Sequence, residues 1–220
     1  MAEAAEVFKA IEDGDQRRLM TLLKKQPALA EAQNEQGVSA VLYARYRSAA
    51  KALDALLDAK PSLSIFEAAA VGDRKRIEEL LETNRSLVES YTPDGFTALH
   101  LASFFGQPEA ASLLLEHDAP VNAVSRNEMT VTPLHSAVAA GDEKVSRLLV
   151  DNNADLNVSQ QLGYTPLHEA AQNGNTDIAR MLLENGADPR AKLDDGKTSA
   201  ELARAHNQAK LAQLIDEFES

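Results

Sequence analysis

Thr132-Pro133-Leu134-His135-Ser136-Ala137 and Thr165-Pro166-Leu167-His168-Glu169-Ala170 are one phrase written twice, 33 residues apart. Weaker copies flank them. Thr97-Ala98-Leu99-His100 starts 35 residues before the first, and Thr198-Ser199-Ala200-Glu201 starts 33 residues after the second. A fixed period of this size marks one small supersecondary unit copied along a line. Such a unit cannot bury its apolar face alone, so it stacks on its neighbours and makes an elongated surface. Surfaces of that kind bind; they rarely carry out chemistry.

Working outward, a small residue recurs between two helical stretches, at Gly14, Ser48, Gly72, Gly106, Gly141, Gly174 and Asn207. A small or left-handed residue suits the tight turn between paired helices. An apolar pair follows each one about eight residues later, from Leu22/Leu23 and Leu56/Leu57 through Leu182/Leu183 to Leu214/Ile215. Leu19, Leu53, Ile77, Ala110, Val145, Ile178 and Leu211 lie on the same helical face. Each unit therefore reads helix, turn, helix, then a connection rich in Gly, Asp, Asn and Pro. Thr or Ser opens the later first helices as an N-cap, with Pro133 and Pro166 at the first helical position.

These residues resemble the ankyrin repeat, and the run Gly174-Asn175 through Leu182-Leu183-Glu184-Asn185-Gly186-Ala187-Asp188 extends the likeness. It is specific over residues 91–220 and rests on helix spacing before that. The resemblance implies an all-α fold: an ankyrin-repeat solenoid of about seven stacked helix-turn-helix units with β-hairpin-like finger loops. The whole chain, 1–220, then forms a single domain. Its units run 3–33 as an N-terminal cap, 34–62, 63–90, 91–124, 125–160, 161–193, and 194–220 as a C-terminal cap. Two departures carry structural expectations. Ser48 and Gly72 are only 24 residues apart, which leaves no room for a full finger between units two and three. Two extra residues within 125–131 predict a longer finger there.

Composition narrows the function classes. The 220 residues include no cysteine, so disulfides and thiolate metal sites are excluded, and a reducing, cytoplasmic setting is expected. No apolar run approaches the roughly 18 residues of a spanning helix, and the first ten residues lack a secretory pattern, so no membrane partner is expected. Net charge is -12, from 34 acidic and 22 basic side chains. Residues 1–63 are neutral, with 9 of each sign, so the whole excess lies in residues 64–220. An acidic surface repels phosphate backbones, which argues against nucleic acid; the excess either keeps the chain soluble and prevents self-stacking or steers a basic protein or peptide to it.

No catalytic residue, cofactor or metal site is expected. His100, His135 and His168 sit in neighbouring units about 10 Å apart, too far to share an ion with nitrogens about 2 Å away. There is no nucleophile motif and no Gly-rich phosphate loop. In the family this histidine hydrogen-bonds the Thr of its own phrase and the backbone of the next unit. The resemblance also implies two kinds of partner-binding position, one in the fingers and one at the end of each inner helix. The finger candidates are Asp94, Phe96, Met129, Leu162 and Tyr164; the inner-helix candidates are Tyr46, Arg47, Phe104, Phe105, Gln172 and Asn173. Five of the chain's ten aromatic residues fall in this set. Aromatic groups left in water are strong interface anchors. One of Phe104 and Phe105 facing a partner competes with both packing internally. The expected function is a non-catalytic, monomeric protein-interaction module; the alternatives are a self-associating structural protein and a small-molecule binder.

Overall fold

The computed structural model describes residues 2–219. Fourteen α-helices fall into seven pairs: α1 (Ala2–Glu12) with α2 (Gln16–Lys25), α3 (Ala40–Tyr46) with α4 (Ala50–Asp58), α5 (Ile65–Val71) with α6 (Arg74–Thr83), α7 (Ala98–Phe104) with α8 (Pro108–Glu116), α9 (Pro133–Ala140) with α10 (Glu143–Asp151), α11 (Pro166–Asn173) with α12 (Thr176–Glu184), and α13 (Ser199–Ala205) with α14 (Ala209–Phe218). The pairs share one architecture, a helical solenoid. The turn inside each pair contains the small residue picked out by the sequence. All seven have positive φ, from 51° at Ser48 to 79° at Gly72. That left-handed step ends the first helix and starts the second.

Capping explains where the first helices begin. Ser39, Ser64, Thr97, Thr132, Thr165 and Thr198 each accept a hydrogen bond from the N–H three residues on. In α7, α9 and α11 the return bond goes to histidine. The N–H groups of Thr97, Thr132 and Thr165 donate to Nδ1 of His100, His135 and His168 at 3.2, 3.3 and 3.3 Å. Glu67 and Glu201 close the same capping box in α5 and α13.

The first helices stack in series from α1 to α13 through all seven pairs. Small residues at their contacts, among them Ala68, Ala98, Ala102, Ala137 and Ala170, are fully buried. The second helices cover this row. Leu19, Leu56, Ile77, Leu114, Leu149, Leu182 and Ile215, one from each pair, have no solvent exposure. Burying each contributes about 1.5–3 kcal/mol. The stack thus draws its stability from equal increments along its length.

Hairpin fingers close at 34–38, 92–96, 125–131, 160–164 and 193–197 through backbone bonds of 2.8 to 3.0 Å between their ends. The 125–131 finger spans two more residues than the rest. The last four fingers are tied into a row: Arg126 N–H donates to Gly95 O at 2.8 Å, Gln161 N–H to Met129 O at 3.3 Å, and Asp194 N–H to Leu162 O at 3.1 Å. Between α4 and α5 residues 59–64 run directly to the Ser64 cap. Without an intervening hairpin, the 34–38 finger lies against the 92–96 finger, and a Cβ built at Gly37 would lie 3.0 Å from Pro93 Cγ.

Candidate partner-binding surface

The direct meeting of units two and four positions most of the site. Tyr46, at the end of α3, reaches across the short junction and donates from its hydroxyl to Asp94 Oδ2 at 3.0 Å. Burial, and then the Asp94 carboxylate, push the Tyr46 phenol above its ordinary range, so it stays a donor. Phe105 fills the space beside it, with ring centroids 5.6 Å from Tyr46 and 5.2 Å from Phe104. The Arg45 guanidinium lies 4.4 Å over the Phe105 ring and donates to the Phe105 carbonyl at 3.2 Å. Val38, Leu42, Ala70 and Leu101 form the buried base of this cluster.

Phe104 is the more exposed of the two. It is 46% exposed and lines a cavity of about 490 Å³ on the face shared by the fingers and first helices. Tyr46, Asp94, Phe96 and Met129 line the same cavity. Met129, at the tip of the long finger, is 45% exposed. Ala139, near the end of α9, keeps the cavity open where a larger side chain would fill it.

Two histidines form part of the wall. Nε2 of His100 lies 3.0 Å from Val131 O, and Nε2 of His135 lies 3.2 Å from Tyr164 O. Since Nδ1 of each accepts from its own cap N–H, Nε2 carries the proton and donates. Burial lowers both pKa values to about 4, against a partly opposing effect of those carbonyls. The imidazoles are therefore neutral at physiological pH, committed to the backbone, and add no positive charge to the cavity. Among the described residues no three His, Asp or Glu side chains gather to hold a metal ion.

The other candidate residues do not line this cavity. Tyr164 donates to Gln172 Oε1 at 2.8 Å, and Asn173 donates to Glu169 at 3.1 Å. Leu162 stands at a finger tip, 62% exposed with φ 63°. Arg47 is exposed at the C-cap of α3. Phe105 is half-buried, occupied by Arg45 and Tyr46. The candidate set omitted Glu169 and Gln160, which also line the cavity. The signal for Glu169 was its place on the helical face of Gln172 and Asn173, three and four residues on.

Comparison with known proteins bears on the whole array. The family model described as ankyrin repeats matches three times, over residues 65–160, 122–194 and 154–217. The chain is 44% identical over 92 residues to protein phosphatase 1 regulatory subunit 27 of Homo sapiens, covering 42% of this chain and 58% of that one. It is 39% identical over 87 residues to the probable E3 ubiquitin-protein ligase XBOS31 of Oryza sativa subsp. japonica, covering 39% of this chain and 19% of that one. It is 35% identical over 91 residues to ankyrin repeat domain-containing protein 13C of Mus musculus, covering 41% of this chain and 16% of that one. The matches therefore span less than two thirds of each relative. No helix of the described residues is long and apolar enough to cross a membrane.

Proposed function

The chain belongs to the ankyrin repeat family, and on that premise we propose that it is a non-catalytic binding module. It takes a protein or peptide partner on the surface formed by its first helices and fingers, centred on the cavity at Phe104. The observation that carries this reading is the pairing of an open apolar cavity with two half-exposed apolar groups, Phe104 and Met129, at its mouth. Apolar groups left in water around a preformed concavity gain from burial against a partner. The acidic excess of residues 64–220 favours a basic partner through steering. The relative named as a phosphatase regulatory subunit supports action through binding, with the chemistry left to another protein. We extend the proposal to a monomer acting in the cytoplasm, as the cysteine-free composition suits.

The two neighbouring phenylalanines provide the test. Phe104→Ser is expected to lower stability to urea only modestly, by about 1 kcal/mol, because the half-exposed ring gives up little beyond its edge contact with Phe105. It is expected to weaken a partner captured from the native host's lysate by at least about tenfold, as loss of an aromatic anchor does. Wild-type affinity in Phe104→Ser would remove the cavity from the interface. Phe105→Ala is expected to cost the free protein more, about 2 kcal/mol, through lost packing on Tyr46 and Arg45. Unfolding in urea followed by circular dichroism measures it; an unchanged midpoint would mean that the aromatic cluster does not brace the junction.

A further inference from the structure

We propose that the Phe104 cavity is an arginine pocket: an arginine side chain of a basic partner lies against Phe104 and Met129 and directs its guanidinium to the carboxylates of Asp94 and Glu169. This rests on the reading of the concave face as the binding surface and names what enters it.

Charge complementarity carries the inference. Asp94 and Glu169 line one cavity, and no salt bridge of the described residues involves either. Glu169 has only neutral amide donors, Gln160 at 3.4 Å and Asn173 at 3.1 Å. Asp94 is poorer still. Its Oδ2 accepts from Tyr46, while its Oδ1 is shielded from solvent and has no donor among the described residues. A buried carboxylate oxygen without a donor is costly, and a charged donor is the strongest remedy. The terminal torsion of Asp is broad, so a modest turn presents Oδ1 to an incoming group.

The rest of the wall selects a flat cation. Aromatic faces attract cations, and guanidinium is both planar and weakly hydrated, so it stacks where an ammonium stays in water. The protein already uses this contact twice nearby: Arg45 stacks on Phe105 at 4.4 Å and Arg126 on Tyr91 at 3.8 Å. Both of those guanidinium groups are occupied elsewhere, which leaves the Phe104 face to a partner. The wall histidines are uncharged and their Nε2 protons are spent on backbone carbonyls, so they neither repel a cation nor compete for the carboxylates.

The test uses the intact chain with isotope-labelled methionine methyl groups, read by nuclear magnetic resonance. The probe is the peptide acetyl-Ala-Ala-Arg-Ala-Ala-amide, compared with versions carrying lysine or norleucine in place of arginine. The arginine peptide is expected to shift the Met129 methyl and leave those of Met20 and buried Met181 unmoved. Norleucine should bind at least about tenfold more weakly, the usual scale for losing a charge-assisted pair, and lysine should fall between. Asp94→Asn keeps an acceptor for Tyr46 and is expected to weaken the arginine peptide by about fivefold or more while leaving norleucine unchanged. Equal response to norleucine, or no shift of Met129 with any peptide, overturns the pocket; equal response to lysine overturns its selectivity for guanidinium. Each of those outcomes is independent of the Phe104→Ser affinity for a whole partner, which judges the concave-face reading separately.

Discussion

Acidification from pH 6.5 to 5 is expected to remove about 3 kcal/mol of folding stability, before most carboxylates titrate. The source is the buried histidines that cap α7 and α9. In the unfolded chain each imidazole has a pKa near 6.5. In the folded chain burial lowers those of His100 and His135 to about 4 and moves that of His168 in the same direction. Above pH 6.5 both states are neutral and the stability is fully present. Below it only the unfolded state takes up the proton, so stability falls with pH until the folded pKa is reached. Each of two histidines then costs about 1.6 kcal/mol between pH 6.5 and 5, together a large part of the 5–15 kcal/mol typical of a domain. The structural cause is specific. Protonation would turn Nδ1 of His100 from acceptor to donor against the Thr97 N–H, 3.2 Å away. His135→Gln retains a side chain that closes a capping box but does not titrate, so it should flatten the pH dependence. Urea midpoints measured across this range test the account; a midpoint constant from pH 7 to 5 would contradict it.

Gly95→Ala is expected to cost about 3 kcal/mol or more, against about 1–2 kcal/mol for Gly196→Ala. The two glycines occupy the same place in their fingers, at φ 89° and 88°. Both substitutions meet the penalty for a left-handed residue with a Cβ. Only at Gly95 would that Cβ also strike a neighbour, lying 2.7 Å from the Arg126 carbonyl carbon; at Gly196 nothing lies within 4 Å. The neighbour is backbone and cannot swing aside. The clash would also disturb the Arg126 to Gly95 hydrogen bond that ties one finger to the next. Asp94 and Phe96 flank the site, so binding should fall with stability. Equal losses in the two variants, by urea unfolding, would show that the fingers do not brace one another.

The repeated framework was legible because its causes are local. The seven left-handed turns, the Thr and Ser caps and the apolar face of each second helix are set by residues within one helical turn of one another. The longer 125–131 finger followed from counting residues. The distinct roles of Phe104 and Phe105 were not legible. Adjacent residues at a helix end point in different directions, and which one faces inward depends on what the stack brings opposite. Here the short 59–64 connection brings Tyr46 within reach of Asp94, 48 residues away, and Arg45 within reach of Phe105, 60 residues away. Nothing in the sequence near Phe105 announces that partner. Glu169 was overlooked for a similar reason, since it meets Asp94 only through a cavity whose wall draws on units two, four, five and six.

Hydrogen–deuterium exchange on the chain with and without a purified partner tests the central claim most directly. The account predicts new protection in the 92–96 and 125–131 fingers and at the ends of α7 and α9, beside Phe104 and Ala139. Protection confined to α6, α8 and α10, on the opposite face of the stack, would contradict it.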